Sequence, residues 1–413
     1  MAAPEGTTKP GFWGWLNKRL PVEQFVRSQL LDYYAPKNFN VWYFFGSLAL
    51  LVLVIQLLSG IFLTMFYKVG ETTAFDSVEY IMREVDYGWL MRYLHSTGAS
   101  AFFIVVYLHM FRALLYGSYR APRELLWIFG MLIYLALMAE AFMGYVLPWG
   151  NMSYWGAQVI VNLFSTIPVV GPAVVEWIRG DYGIADATLN RFFALHVAAV
   201  PLALIMLIVL HLVALRQVGS GSPDGIEIKE HRGPDGKPLD GIPFHPYYTL
   251  KDIVGVGVFL ILFCGVVFFV PTLNDLFLEK PNFEEANPLS TPEHIAPVWY
   301  FTPFYAMLRA VPDQRMGALL MVLAILAFFF LPWLDRSPVK SVRYRGWIFK
   351  TFLAIFTVSF LALMYLGLKP ASTAYVYAAR VFTAGYFSFF ALMYWFSKWD
   401  RTKPVPTRVT FHA

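Results

Sequence analysis

The chain has 413 residues, of which 58% are hydrophobic, 18% aromatic and only 14% charged. Soluble domains carry roughly 25% charged residues, so too little charge is present to coat a water-facing surface, and an all-α polytopic membrane protein is expected. Disorder, a coiled coil and a disulfide scaffold are excluded, and the single cysteine, Cys264, rules out an internal thiolate zinc site or iron–sulfur cluster.

Residues 1–41 contain no apolar core of the signal-peptide kind, so no cleavable signal is expected. Within them, 12–34 mixes Trp13, Trp15, Leu20, Phe25, Leu30 and Tyr33 with Lys18, Arg19 and Arg27, a pattern that predicts one helix lying on the membrane interface. Eight apolar stretches then meet the length of about 20 residues needed to cross a bilayer: 42–67, 89–116, 124–147, 192–215, 253–270, 316–334, 347–368 and 376–397. Short outer helices are predicted over 150–165 and 167–178. The stretch 217–246 is polar and rich in Gly and Pro, and reads as a flexible loop. Residues 271–315 form a long Pro-rich connection with Asp275, Glu279, Glu284 and Glu285, and loops of that length are usually functional.

These boundaries predict an N-terminal segment (1–41), a four-helix bundle (42–216) carrying the outer helices of 150–178, an inner loop (217–250) and a C-terminal four-helix region (251–413). The connections on the side of both termini hold 22 of the 32 basic residues. By the positive-inside rule that side is cytoplasmic. The net charge of +5 is then a topology signal, and a nucleic-acid partner is not expected. No internal repeat is visible, which argues against an inverted-repeat transporter.

Four of the eight histidines fall inside apolar spans: His95 and His109 in the second, His196 and His211 in the fourth. Ionisable residues at that depth are costly and are functional candidates by default; packed, hydrogen-bonded histidines are the alternative. The two spans run the same way, and the spacings of 14 and 15 residues correspond to about 21–22 Å along a helix. One histidine pair thus lies near each membrane surface, an arrangement that fits bis-histidine ligation of two haem irons. Gly46 and Gly60, and Gly130 and Gly144, repeat the 14-residue interval in the neighbouring spans. Without a Cβ they let a flat macrocycle lie against the backbone, or else serve helix packing. Arg92 and Arg112 each lie three residues from a candidate ligand and could pair with haem propionates, or snorkel to the surface.

RYLHSTGAS (92–100), GYVLPWGNMSYWGA (144–157), LNRFFALH (189–196), FHPYYTLKD (244–252) and WYFTPFYAML (299–308) resemble cytochrome b of the cytochrome bc complex, over almost the whole chain. The resemblance implies two non-covalent haem b groups. His95 and His196 would hold the outer, lower-potential one, and His109 and His211 the inner, higher-potential one. It implies an outer quinol-oxidising pocket lined by Phe142, Tyr145, Gly156, Pro297, Trp299, Tyr300 and Tyr305. It also implies an inner quinone-reducing site with Ser220, Lys251 and Asp252. Partners implied are a Rieske iron–sulfur subunit, a cytochrome c-type subunit, ubiquinone and lipid, in a dimeric complex of a bacterial inner membrane.

Three positions depart from the family pattern. Val298 stands where the outer motif usually carries a glutamate, so another group must accept the protons of quinol oxidation. Glu140, buried in the third span at a cost of ~2.5–3.5 kcal/mol with no basic residue within a turn, is the expected acceptor, with Glu293 second. Arg216 stands near the inner site where many relatives have histidine, and cannot shuttle a proton near neutrality. Finally, the 15-residue spacing resembles photosynthetic b-type relatives and calls for a local bulge near Pro201. Other readings are the dihaem anchor of another respiratory oxidoreductase and a proton-coupled transporter.

Overall fold

Eight helices of the computed structural model are long and apolar enough to cross a membrane; the structure describes residues 11–411. They are α1 (Val41–Thr64), α2 (Gly88–Tyr116), α3 (Glu124–Val146), α4 (Asp186–Val218), α5 (Phe244–Phe269), α6 (Gln314–Leu334), α7 (Trp347–Gly367) and α8 (Thr373–Trp399). All eight predicted spans are present. Helices α4 and α5 begin well before the expected 192 and 253, because an apolar reading stops at Arg191 and at Lys251 and Asp252 whereas helical hydrogen bonding continues through them. Asp186 in the first turn of α4 suits the positive end of the helix dipole. Helix α2 ends at Gly117, whose φ of 62° lets its N–H reach Ala113 O, a left-handed cap that glycine supplies at least cost.

In the first half, α1 packs along α2 and α3 along α4. Helix α5 joins this half: it packs on α1 and α2, with Phe263 and Val267 against Ala101. The predicted C-terminal four-helix region is therefore corrected to α6, α7 and α8 around the short helix Thr302–Ala310. Their seam is aromatic: Phe328, Phe356, Tyr386, Phe389 and Phe390 form one buried cluster. Tyr386 satisfies its hydroxyl by donating to Ala324 O at 2.8 Å, as a buried phenol must.

The predicted bulge near Pro201 is a π-helical turn over Leu195–Ala199. Proline lacks the N–H that would continue the ordinary ladder, and the wider turn absorbs one residue.

Three other expectations are corrected. The single interfacial helix over 12–34 is two short pieces, Phe12–Arg19 and a second starting at Val22, broken at Pro21. Its end becomes strand β1 (Tyr34–Pro36), antiparallel to β2 (Gly241–Pro243). Of the outer helices, Asn151–Leu163 matches, but the second starts at Gly171, after a turn through Pro168 and Val169 (φ 70°). The inner loop is tightly fastened, against the expected flexibility. Glu227 accepts two hydrogen bonds from Arg123 at 2.6 and 2.7 Å and one from Lys340 at 2.6 Å. Asp224 accepts from Asn38, Arg343 and Tyr344, each at 2.9 Å, and Asp240 pairs with Lys37 and Arg408 at 2.9 and 2.7 Å. Its composition is that of a loop, but its acids meet cations from four other segments.

Candidate functional site

Helices α2 and α4 bring the four histidines together as two facing pairs. The ring centres of His95 and His196 lie 6.1 Å apart, and those of His109 and His211 6.4 Å apart. Two imidazoles sharing one metal at about 2.0–2.1 Å per nitrogen have ring centres roughly 6.3 Å apart. Both pairs meet that requirement.

Each of the four glycines lies against one of the histidine rings. A Cβ on Gly60 would sit 3.2 Å from His95 Cε1, one on Gly46 3.3 Å from His109 Cε1, and one on Gly130 3.3 Å from His211 Cε1; at Gly144 it would be still closer to His196. Each glycine on α1 or α3 therefore makes room for a histidine ring of the neighbouring helix. The ring is wedged against backbone and fixed in rotation.

What each ring's Nδ1 meets differs between the pairs. His95 Nδ1 lies 3.0 Å from Ser59 Oγ, whose own proton goes to Ile55 O at 2.7 Å, so the hydroxyl oxygen accepts from the ring. His196 Nδ1 lies 2.9 Å from the main-chain oxygen of Glu140 and 3.0 Å from its carboxylate Oε1. With Nδ1 as donor, Nε2 is the bare nitrogen free to ligate. Neither His109 Nδ1 nor His211 Nδ1 has a side-chain acceptor; beside His211 stands only the main chain of Leu126. Near the inner pair, Arg112 lies 4.5 Å over the Tyr43 ring and its Nε is buried and unpaired, an opening for an anionic group. Arg92 stands one turn before His95 near the outer end of α2.

On the outer side an apolar cavity of about 660 Å³ opens between α3, α4, the helix Asn151–Leu163 and the segment 295–308. Phe142, Gly156, Pro297 and Tyr305 line it, together with Phe301 and Ile325. The other expected wall residues are turned away. Trp299 and Tyr300 sit on a 3₁₀ turn and point into the core: Trp299 Nε1 donates to Ser100 Oγ at 3.1 Å, and Tyr300 stacks on Phe103 at 3.9 Å between centres. Val298, only 4% exposed, joins the same core. Glu140 is absent from the wall, because its carboxylate is turned to His196, and Glu293 is exposed on the loop surface.

A different carboxylate stands behind the cavity. The Tyr145 ring is 3.8 Å from where a Gly156 Cβ would be, and its hydroxyl donates to Glu279 Oε2. Asn282 Nδ2 donates to the same oxygen at 2.9 Å. Burial pushes the Glu279 carboxyl up to about 7, against the opposing pull of these two hydrogen bonds. Sequence reading noted Glu279 among the loop acids without singling it out; its nearness to Tyr145 depends on a fold-back across 134 residues.

On the inner side, the Arg216 guanidinium lies 3.9 Å over the Tyr33 ring and 5.8 Å from that of Phe244. Tyr33 Oη is 2.8 Å from Ser220 Oγ. Lys251 lies 5.1 Å over Tyr248, which belongs to the same aromatic cluster as Tyr33 and Phe244. Asp252 sits beside Ser47 of α1. Arg216, Ser220 and Lys251 thus gather around one aromatic cluster while Asp252 faces Ser47 instead, and Tyr33, read from the sequence only as part of the interfacial stretch, joins the site.

The family model described as Cytochrome b/b6/petB matches residues 30–219, and that described as Cytochrome b (C-terminal)/b6/petD matches 285–387. A curated cytochrome b of Allochromatium vinosum is 62% identical over 404 residues, covering 96% of this chain and 97% of that one. The chain belongs to the cytochrome b family. A cytochrome b of Rhodospirillum rubrum is 50% identical, covering 96% of this chain and 95% of its own. A solved chain of a hyperthermophilic respiratory complex III superposes with a TM-score of 0.87 at 39% identity, over 94% of this chain and 99% of that one. This cytochrome b is accordingly a multi-pass membrane protein of electron transport that binds haem b, and the paired histidines, with Arg112's open donor, fit such a group.

Proposed function

We propose that this cytochrome b holds two haem b groups, one between His95 and His196 and one between His109 and His211, and works as the quinol-oxidising, quinone-reducing subunit of a cytochrome bc complex. The observation carrying this is the pair of ring separations, 6.1 and 6.4 Å, each suited to one metal between two imidazoles. Bound there, haem b supplies one-electron exchange between the two membrane faces.

The chain's own residues do the rest. Phe142, Pro297 and Tyr305 give the outer cavity apolar and aromatic walls for a quinol ring, and Gly156 leaves it room. Glu279, reached through Tyr145, is the group poised to accept a proton at neutral pH; it takes the role expected of Glu140 or Glu293. At the inner cluster, Arg216 and Ser220 offer hydrogen-bond donors to a quinone carbonyl. Asp252, beside Lys251, supplies the proton that Arg216 cannot.

With one cysteine the chain holds no cluster, so the other electron of each quinol leaves through a Rieske iron–sulfur subunit and a cytochrome c-type subunit. The helix Asn151–Leu163 and the loop over 271–300, stitched together by Asn282 Oδ1 accepting from Ser153 N at 2.8 Å, form the docking face for the former. The excess of basic residues on the side of both termini supports a cytoplasmic location for that side in a bacterium, and the complex is proposed to be a homodimer.

A dithionite-reduced spectrum of the purified complex should show two b-type haems per chain. His196→Ala should remove one and His211→Ala the other. A single haem, or loss of the same haem in both variants, would overturn the reading.

A further inference from the structure

Glu140 is spent neither on the outer cavity nor on an ion pair with a basic side chain: its one salt-bridge partner among the described residues is His196. The His196 ring is wedged within one turn of α3. Its Cε1 is pressed where Gly144 lacks a Cβ, and its Nδ1 lies between the Glu140 carbonyl at 2.9 Å and the Glu140 carboxylate at 3.0 Å. The second carboxylate oxygen, Oε2, is buried without a partner. The carboxyl group thus gives up solvation for a single contact, which is costly and is compensated only through that ring. The other three rings lack such a partner: His95 has a neutral hydroxyl, and His109 and His211 have no side-chain acceptor.

We propose that Glu140 is a positioning residue for His196, fixing the ring's orientation through Nδ1 and making it the most electron-donating of the four histidines, so that Glu140 itself lowers the midpoint potential of the outer haem. A carboxylate accepting the distal N–H of a metal-bound imidazole raises the basicity of the ligating nitrogen. A more basic ligand favours the ferric over the ferrous iron, which lowers the potential at which one electron is taken up. Glu140 gains or loses no electron itself. Its effect is on the equilibrium of the group held by its neighbour. The inference rests on the bis-histidine reading.

The test is a redox titration of both haems, followed optically at one fixed pH, in the assembled complex carrying Glu140→Gln. Glutamine keeps the size of the side chain and the main-chain acceptor while removing the carboxylate. At a given ambient potential the outer haem of the variant should be about tenfold more reduced, equivalent to 59 mV for a one-electron couple, and the inner haem should not move. The low-field electron paramagnetic resonance of the outer haem should shift with it. An unchanged outer potential and resonance, with both haems present, would overturn the role of Glu140 while leaving the bis-histidine reading intact. Absence of a second haem from the unmodified complex would overturn that reading instead. If the glutamine variant loses its haem, the decision passes to the reduced-minus-oxidised infrared difference spectrum of the unmodified complex. Its imidazole C–N modes should then reveal one ring per chain donating to a carboxylate. Four rings with the same signature would overturn the proposal.

Discussion

The outer and inner halves of the first bundle share one device and differ in everything around it. In both, a glycine on α1 or α3 receives a histidine ring from its neighbour, and two such rings face each other at nearly equal separation. Around the outer pair are hydrogen-bond acceptors for Nδ1, a large apolar cavity and a buried loop carboxylate. Around the inner pair are Nδ1 atoms without side-chain acceptors, an arginine with a free donor, and a polar rim of ion pairs. The paired-ring geometry is thus common to both, while the shell around each pair differs, as the proposed quinol-oxidising and quinone-reducing sides require.

The shared device can be broken one side at a time. Gly60→Val and Gly46→Val put a branched side chain where His95 Cε1 and His109 Cε1 lie 3.2 and 3.3 Å from even a single added carbon. The ring cannot move away without leaving its partner. Gly60→Val should lose the outer haem and retain the inner, and Gly46→Val the reverse, as read from the b-band amplitudes of the purified complex. Loss of both haems in each variant would mean that the glycines hold the bundle together rather than seat individual rings.

The next largest effect belongs to the outer side alone. Glu279→Gln removes a proton acceptor, a function commonly worth 10²–10⁴-fold, and should slow steady-state quinol oxidation by about 100-fold. In the unmodified complex the rate should climb between about pH 6 and 8, because Glu279 accepts a proton only when ionised and its carboxyl sits at about 7. The variant's residual rate should lack that rise. A pH profile of the same shape in both would assign the proton to another group.

Periodicity carried most of the fold: the eight spans and the pairing of histidines follow from spacings within single helices. Less visible was what depends on contact between distant segments. Glu140 and Glu279 illustrate this. As a carboxylate in an apolar span, Glu140 stood out, but its rotamer, toward His196 rather than the cavity, is a property of the packed helices α3 and α4. Glu279 looked like an ordinary loop acid until the loop folded onto Tyr145. Similarly, the family resemblance implied Trp299 and Tyr300 as pocket residues, whereas Ser100 and Phe103 on α2 draw them into the core. The inner loop read as flexible because its Gly and Pro content is local and its anchoring cations are not.

Asp240 gives the smallest and most local test of the inner rim. Its side chain is fully buried between Lys37 and Arg408, and it fastens the N-terminal strand β1 and the C-terminal segment to the loop before α5. Burial raises its carboxyl, but hydrogen bonds from Arg408 and Lys37 outweigh that and hold it at about 2. An unfolded aspartate titrates at about 3.9. The contribution to stability is therefore fully present above about pH 4 and is lost as pH falls through about 2. Acid exposure in this window should free the C-terminal segment, raising its cleavage by an acid-active protease, while the haem spectrum stays unchanged. In Asp240→Asn the segment should be equally cleavable on both sides of the window. If the acid step persisted in that variant, Asp224, which binds Thr410 and Arg343, would be the anchor that fails, and the inner rim would have two independent fastenings where the outer loop depends on the contacts of Asn282 and Glu279.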